Sequence, residues 1–184
     1  ADPIIEIDKT GIKTENNYFK IDIFVFATGY DAMTGSLINL NIIGENNLNL
    51  KDYWNEGPKT YLGLQIAGFP NMFTITGPGS PSVLTNMPTA IEQHVEWITD
   101  CISFMIKNDF KKITTSENES VKWGMQVKKA ADKTLLPTVK HSWYLGANIP
   151  NKPRVFMPYA GGLPTYTKIC ENIKNNNYEG FLFS

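Results

Sequence analysis

The stretch Asp22-Ile-Phe-Val-Phe-Ala-Thr-Gly-Tyr-Asp31 carries the strongest signal for the fold of this chain. Residues 21–26 are mostly β-branched or aromatic, which predicts a buried strand. Gly29 follows closely and permits a sharp turn, so that bare backbone N–H groups can come near a ligand. On spacing alone, most such stretches are ordinary buried strands followed by a glycine turn, so the meaning of this one depends on the rest of the chain.

The composition is that of an ordinary globular protein. The chain has 184 residues, of which 42% are hydrophobic and 19% charged, and this is enough for one domain with a real core. Its 17 basic and 18 acidic residues give a net charge of −1, so no electrostatic case exists for nucleic acid or an anionic membrane surface. No apolar run approaches a membrane span and no basic-then-apolar leader begins the chain.

The cysteines predict a compartment. Cys101 and Cys170 are far apart and neither lies in a metal-ligand spacing, which favours buried thiols in a reducing cytosol over a zinc site or a disulfide scaffold. We therefore expect a cytoplasmic protein without a structural metal.

Periodicity predicts a mixture of strands and helices. A hairpin with Gly11 in its turn precedes the first buried strand, residues 32–60 form an irregular connection with short strands, and residues 72–76 form a second buried strand. Residues 136–164 have no helical period, which is typical of a functional loop. Helices are predicted at about residues 88–107, from Ser116 to about residue 133, and at about residues 164–175.

The first of these helices has the clearest pattern. Thr85 or Asn86 can cap it, and its free N–H groups carry the positive end of the helix dipole, which would stabilise an electron-rich ring edge. A merely well-capped core helix explains the pattern equally well. The predicted inner face consists of Ile91, Val95, Ile98, Ile102 and Met105, widened by Ala90, Trp97, Cys101 and Phe104.

The second helix opens with a capping box at Ser116-Glu-Asn-Glu119. Its predicted inner side consists of Trp123, Val127, Ala130, Ala131 and Leu135, and we expect this helix to be structural.

Three further blocks follow the opening stretch in a fixed order. They are Asn71-Met-Phe-Thr-Ile-Thr-Gly-Pro-Gly-Ser-Pro-Ser-Val-Leu-Thr-Asn-Met87, Ile91-Glu-Gln-His-Val-Glu-Trp97 and Trp143-Tyr-Leu-Gly-Ala-Asn-Ile-Pro150. Together the four blocks resemble the C-terminal part of a Baeyer–Villiger monooxygenase, similar to the phenylacetone and cyclohexanone members. The resemblance runs from about Ile4 to Phe181.

The resemblance implies an α/β protein with an incomplete FAD/NAD(P)-binding fold, built in the family from two dinucleotide-binding domains. Residues 1–30 correspond to the hairpin and return strand from the NADP domain, and residues 31–184 to the remaining C-terminal part of the FAD domain. No Gly-x-Gly-x-x-Gly turn for FAD or NADPH occurs here. We expect these turns and the family's active-site arginine in a missing N-terminal part, so no catalytic residue is assigned in this chain.

The resemblance also assigns site residues. Trp143 matches the tryptophan that the family's control loop brings to the nicotinamide cofactor, although a tryptophan here could simply pack on the domain. His94 and His141 stay unassigned, since neither has a catalytic partner in the sequence. The expected cofactor-binding residues are Ala27, Thr28, Gly29, Gly77, Asn86, Met87, Trp143 and Lys152, and the expected substrate-lining residues are Leu84, Thr85, Met87 and Trp143.

The implied activity is an FAD- and NADPH-dependent insertion of one oxygen atom from O₂ beside a ketone carbonyl, giving an ester or lactone. The block Trp143 to Pro150 favours this class over its relatives that oxidise nitrogen or sulfur. A third possibility is that the chain alone is a non-catalytic fragment of a flavin domain. We expect the isolated chain to be inactive, because it lacks both phosphate-binding turns.

Overall fold

A computed structural model describes residues 2–27 and 29–184, and it opens with a three-stranded antiparallel sheet. The strands are β1 (Ile4–Ile7), β2 (Gly11–Thr14) and β3 (Tyr18–Lys20), in that order across the sheet. The Asp8 carboxylate closes the first turn by accepting hydrogen bonds from the backbone N–H groups of Thr10 (2.7 Å) and Gly11 (2.9 Å). The predicted hairpin is confirmed, but Gly11 begins β2 and does not lie in the turn, and β3 is an additional strand that the sequence did not indicate.

The predicted buried strand at residues 21–26 is wrong for this chain. Residues 21–27 have no regular secondary structure, and Ile23, Val25 and Phe26 are 82%, 77% and 73% exposed. A strand needs a neighbour that takes its backbone N–H and C=O groups. No strand among the described residues pairs with this segment, so its β propensity has no sheet to join.

The connection between residues 32 and 60 contains short helices where short strands were predicted. These are α1 (Gly35–Ile38), a 3₁₀ turn (Glu45–Asn47) and α2 (Leu50–Tyr53). Asn49 caps α2, since its side chain accepts a hydrogen bond from the Lys51 N–H at 2.9 Å. The predicted strand at residues 72–76 is also wrong, because it is reduced to a single bridge between Phe73 and Gln65.

The three long helices are confirmed close to their predicted ends. They are α3 (Met87–Lys107), α4 (Glu117–Ala131) and α5 (Leu163–Asn175). Asn86 caps α3 and Ser116 caps α4, each through its side-chain oxygen. Two short strands, β4 (Ile113–Thr115) and β5 (Phe181–Phe183), pair antiparallel beside them. Further 3₁₀ turns lie at Ser82–Leu84, Leu136–Thr138 and Trp143–Leu145.

The face of α3 that meets the core is only partly the predicted one, because Ala90, Trp97, Cys101 and Met105 are buried as predicted but other members are not. The buried residues are Ala90, His94, Trp97, Cys101 and Met105, whereas Ile91, Val95 and Ile102 are 38%, 44% and 44% exposed. Because α3 is apolar on two sides, the periodicity alone cannot say which side packs inward. On α4 the predicted Trp123, Val127 and Ala131 are buried, but Leu135 is exposed because the helix has already ended.

The main core lies between α3, α4, α5 and the β4–β5 pair, and a smaller cluster of Leu50, Trp54, Ile66 and Phe69 lies beside α2. Cys101 and Cys170 are both buried in the main core, and burial raises the pKa of each thiol to about 12. Across the described residues, no group of histidine, cysteine and carboxylate side chains could hold a metal ion. Within the same part of the chain, none of the helices has the length and apolarity needed to cross a bilayer.

Candidate functional site

The loop before α3 is folded tightly against the helix. Thr76 has a left-handed backbone (φ 54°), and its N–H donates to Nδ1 of His94 at 2.9 Å. The Ser80 hydroxyl donates to the Gly77 carbonyl at 2.7 Å. A Cβ atom on Gly77 would lie 2.6 Å from the Gly63 carbonyl oxygen, so only glycine fits there. Packing against Gly63 is therefore enough to explain why position 77 is a glycine, whether or not a cofactor lies beside it.

His94 is the polar member of the buried face of α3. Its ring is fully buried, and burial lowers its pKa to about 4, so the ring is neutral at physiological pH. Since Nδ1 accepts from Thr76, the ring proton is on Nε2, which has no hydrogen-bond partner among the described residues. The side chain that the sequence left unassigned thus fixes the loop that carries Gly77.

A cavity of about 420 Å³, which we call the central cavity, opens at the N-terminus of α3. One wall comes from the loop before the helix and from Met87, and a second comes from Met33 and Trp143. The Ser82 hydroxyl donates to the Met33 sulfur at 3.4 Å, which joins the two walls. The full lining is Ala32, Met33, Ser36, Leu37, Phe73, Thr74, Ile75, Thr76, Gly77, Ser82, Val83, Met87 and Trp143.

A second cavity of about 430 Å³, the side cavity, shares Ala32 and Trp143 with the central cavity. Its lining is completed by Ala27, Gly29, Tyr30, His141 and Asn148. Gly29 has a φ of 83°, and a Cβ atom there would meet nothing within 4 Å. Glycine is favoured at this position by the backbone conformation, and the backbone faces open space.

A third cavity of about 380 Å³ lies between residues 31–58 and residues 149–157. Lys152 and Asp31 form an ion pair at its edge, and the Lys152 ammonium also donates to the Thr34 hydroxyl at 2.7 Å. Lys152 lines neither the central nor the side cavity.

The structure brings together some of the residues assigned from the sequence. Gly77, Met87 and Trp143 meet around the central cavity, and Ala27 and Gly29 meet Trp143 at the side cavity. Leu84, Thr85 and Asn86 belong to the same loop but are not among the described residues that line either space. Thr28 lies outside the described residues. The roles of all these residues stay predictions.

Most of the residues that line the central cavity were not assigned from the sequence, among them Met33, Ser82 and Val83. Ser82 and Val83 lie inside the block between Asn71 and Met87, so its spacing could have included them. Met33 follows the opening stretch and carries no signal of its own, since only the fold brings it to Ser82.

Comparison with known proteins gives relatives along the whole chain. No protein-family model matches. The chain is 41% identical to cyclohexanone 1,2-monooxygenase of Acinetobacter sp., over 98% of this chain and 33% of that protein. It is 36% identical to a Baeyer–Villiger monooxygenase of Pseudooceanicola batsensis (99% of this chain, 33% of that protein) and 36% identical to a phenazine N-monooxygenase of Lysobacter antibioticus (98% and 33%). The chain thus spans about a third of the length of these curated relatives.

Solved structures agree with this match. Cyclohexanone monooxygenase from Rhodococcus sp. Phi1 bound to NADP⁺ superposes with a TM-score of 0.93 at 35% identity, over all of this chain and 34% of that one. The OTEMO complex with FAD and NADP gives a TM-score of 0.91 at 37% identity, over all of this chain and 33% of that one. The resemblance to Baeyer–Villiger monooxygenases is confirmed, and so is the partial α/β fold of an FAD- and NADP-binding monooxygenase.

Proposed function

We propose that this chain, which matches a third of Baeyer–Villiger monooxygenases in sequence and fold, is part of an FAD- and NADPH-dependent enzyme. The whole protein would use O₂ to insert oxygen beside a ketone carbonyl and give an ester or lactone. The observation that carries the proposal is the central cavity, where Gly77, Met87 and Trp143 meet at the N-terminus of α3. Gly77 and Met87 were assigned from one block and Trp143 from another, and the three residues lie around one space.

The residues present fit a flavin ring. The N-terminus of α3 offers the positive end of a 21-residue helix, which favours an electron-rich ring edge. A cavity of about 420 Å³ is within the range of small-molecule sites, but it suits one ring system and not a whole dinucleotide. The remaining FAD contacts would come from the rest of the longer protein. When bound, the flavin supplies the acceptor for the NADPH hydride and the activation of O₂.

The chain's own residues would shape the cavity and exclude water from it. Met87 and Val83 supply an apolar, adaptable wall that excludes water from a bound ketone. Asn86 holds the first turn of α3 through its side-chain oxygen and so orients the free N–H groups of that turn. Leu84 and Thr85 are half-buried beside this wall and remain candidate substrate contacts.

The side cavity is the proposed approach of the nicotinamide cofactor. Ala27 and Gly29 present backbone there, and Trp143 offers both a ring face and an indole N–H. Because Trp143 lines both cavities, it stands between the two cofactors' proposed positions. A contact between Lys152 and a cofactor phosphate would require the ammonium to leave Asp31 and Thr34.

A second candidate function is oxidation of nitrogen in an aromatic ring. The phenazine N-monooxygenase is as similar to this chain, at 36% identity, as the Baeyer–Villiger monooxygenase of P. batsensis. Incubation of the longer protein with NADPH and either a cyclic ketone or phenazine separates the two functions, because ketone oxidation gives a lactone and phenazine oxidation gives an N-oxide.

A flavin absorbance spectrum of the purified 184-residue chain tests the third possibility, in which this part of the enzyme alone is inert. A reducing, cytoplasmic location is part of the proposal, supported by the two buried free thiols.

Trp143→Ala in the longer protein tests the assigned role of the loop. We expect the hydrogen peroxide released per NADPH oxidised to rise by roughly tenfold, with flavin reduction slowed much less, because the open cavity admits water after hydride transfer. Stopped-flow reduction and a peroxide assay measure the two quantities. Lys140→Ala, an exposed residue beside the loop, is the control. An unchanged peroxide ratio for Trp143→Ala would mean that Trp143 only packs.

A further inference from the structure

The loop that carries Trp143 is fastened to the segment after Gly29 at two points. The Asn148 side-chain amide donates to the Tyr30 carbonyl at 2.9 Å. The Lys152 ammonium donates to the Asp31 carboxylate and to the Thr34 hydroxyl. We infer that Lys152 and Asp31 form a latch that positions Trp143 over the two cavities, an inference whose importance for catalysis rests on the proposed function.

The latch is shielded from water. The side chains of Lys152 and Asp31 are only 13% and 25% exposed, whereas every other ion pair among the described residues has a partner that is at least 44% exposed. Exposed pairs contribute little because water and salt screen them, but removing one partner of a shielded pair leaves a charge with little solvent around it. The loop is therefore held in place more firmly by this pair than by an ordinary surface contact.

The backbone between Lys152 and Trp143 is held by hydrogen bonds, which couple the position of the latch to that of Trp143. It is a series of turns: Ala147 N–H donates to the Ser142 carbonyl (3.2 Å), Ile149 N–H to Gly146 (3.2 Å) and Lys152 N–H to Ile149 (3.4 Å). The Ser142 hydroxyl caps the Trp143–Leu145 turn. Each turn fixes the next, so displacement of Lys152 moves the turn that holds Trp143.

The stem of Lys152 also contacts this turn directly. A Cβ atom on Gly146 would lie 3.0 Å from Cδ of Lys152, so the aliphatic stem packs over the glycine. Gly146 ends the Trp143–Leu145 turn in a left-handed conformation, with φ 68°. The ammonium thus contacts Asp31 while its stem contacts the end of the tryptophan turn, and one side chain connects the two segments.

The alternative role of Lys152 is a direct contact with a cofactor phosphate. The two roles differ in the state without cofactor. A latch protects the loop through Asp31 whether or not a nucleotide is bound, whereas a phosphate contact matters only when one is bound and does not involve Asp31.

The test uses the full-length protein that contains this chain, stripped of NADP⁺, in four forms: Lys152→Met, Asp31→Asn, the double variant and Lys152→Arg. Amide hydrogen exchange of residues 142–152 is measured by mass spectrometry. We expect exchange at least about tenfold faster in each single variant, because either change leaves an unpaired charge near the loop. The double variant should be no faster than the worse single one, since the two residues act as a pair. Lys152→Arg keeps the charge and should retain protection.

Lys51→Met is the matched control, because Lys51 lines the same third cavity but is exposed. Hydrogen exchange of peptides from α4 is the control for global unfolding. If Lys152→Met proves to be unfolded, the Asp31→Asn variant tests the latch in its place. Unchanged loop exchange in both single variants, with weaker NADP⁺ binding in Lys152→Met alone, would overturn the latch and favour a phosphate contact. Ketone oxidation by the unmodified protein is assayed separately, so that failure of the proposed function and failure of the latch are distinguished.

Discussion

Residues 2–27 and residues 61–183 differ in how well they bury their own apolar side chains. In the first region β1 is exposed along its length, and Ile23, Val25 and Phe26 face solvent. In the second, Trp97, Trp123 and Tyr166 are almost fully buried in one cluster. The second region therefore has a packed core of its own, although one side of α3 stays exposed, whereas the first presents apolar surface that no described residue covers.

Truncation of a tryptophan in the packed region should have the largest effect. Trp97 is 1% exposed, its indole N–H donates to the Cys170 carbonyl at 3.0 Å, and its ring contacts Tyr178 and Phe181. Trp97→Ala is expected to lower the free energy of unfolding by about 3–5 kcal/mol through the cavity that it leaves. Urea unfolding followed by circular dichroism measures this loss.

Val25→Ala is the matched change in the other region. Because Val25 is 77% exposed in this chain, we expect less than about 0.5 kcal/mol. A loss above roughly 1 kcal/mol for Val25→Ala would contradict the contrast between the regions, since surface substitutions rarely cost so much.

The buried side chain of His94 should make the free energy of unfolding depend on pH. The pKa of His94 is about 4 when folded and about 6.5 when exposed, so below pH 6.5 the unfolded state takes up a proton that the folded state takes up only near pH 4. The free energy of unfolding should therefore fall as the pH drops from 6.5 to 4, by on the order of 3 kcal/mol from this group.

His94→Gln should remove this part of the pH dependence, measured as the difference from the parent chain at each pH. His141→Gln removes the other histidine, leaves the bond between Thr76 and His94 in place, and serves as the control. A slope that persists unchanged in His94→Gln would show that His94 is not buried as described.

The central cavity is lined by residues from separate parts of the chain. Met87 belongs to residues 61–183, the region with the packed core. In the longer protein, Met87→Gly should shift the preference toward bulkier ketones by roughly tenfold to a few hundredfold in specificity ratio, or about 1–3 kcal/mol. Flavin reduction by NADPH should change little. The ratio of kcat/KM for a small and a bulky cyclic ketone is the measurement. Impaired flavin binding with an unaltered ketone preference would place Met87 in the cofactor's structural support instead.

The contrast also explains what the sequence could predict. Helices α3, α4 and α5 depend on local signals, such as the caps at Asn86 and Ser116 and a regular apolar period, and they were predicted nearly to the residue. The strand at residues 21–26 was not, because a strand exists only through a neighbour that the pattern does not contain.

Which distant segments meet at the site could not be predicted for a related reason. Trp143 and Met33 line one cavity although they are far apart in sequence, and no spacing rule predicts this. The ion pair between Lys152 and Asp31 has the same character. Gly77 and Met87 lie close together because they belong to a single continuous block, while their roles stay predictions.

The two apolar sides of α3 give the smallest and most discriminating prediction. Val95 lies on the outer side, at 44% exposed, and alanine has a higher helix propensity than valine. In the isolated chain, Val95→Ala should therefore raise the free energy of unfolding slightly, by up to about 0.5 kcal/mol. In the longer protein the same change should instead lower stability, because there we expect the outer side to be covered. Met105→Ala, on the buried side of the same helix, should destabilise both proteins. Urea unfolding of both variants in both proteins makes the comparison, and equal effects of Val95→Ala in the two would mean that the outer side of α3 stays exposed even in the complete enzyme.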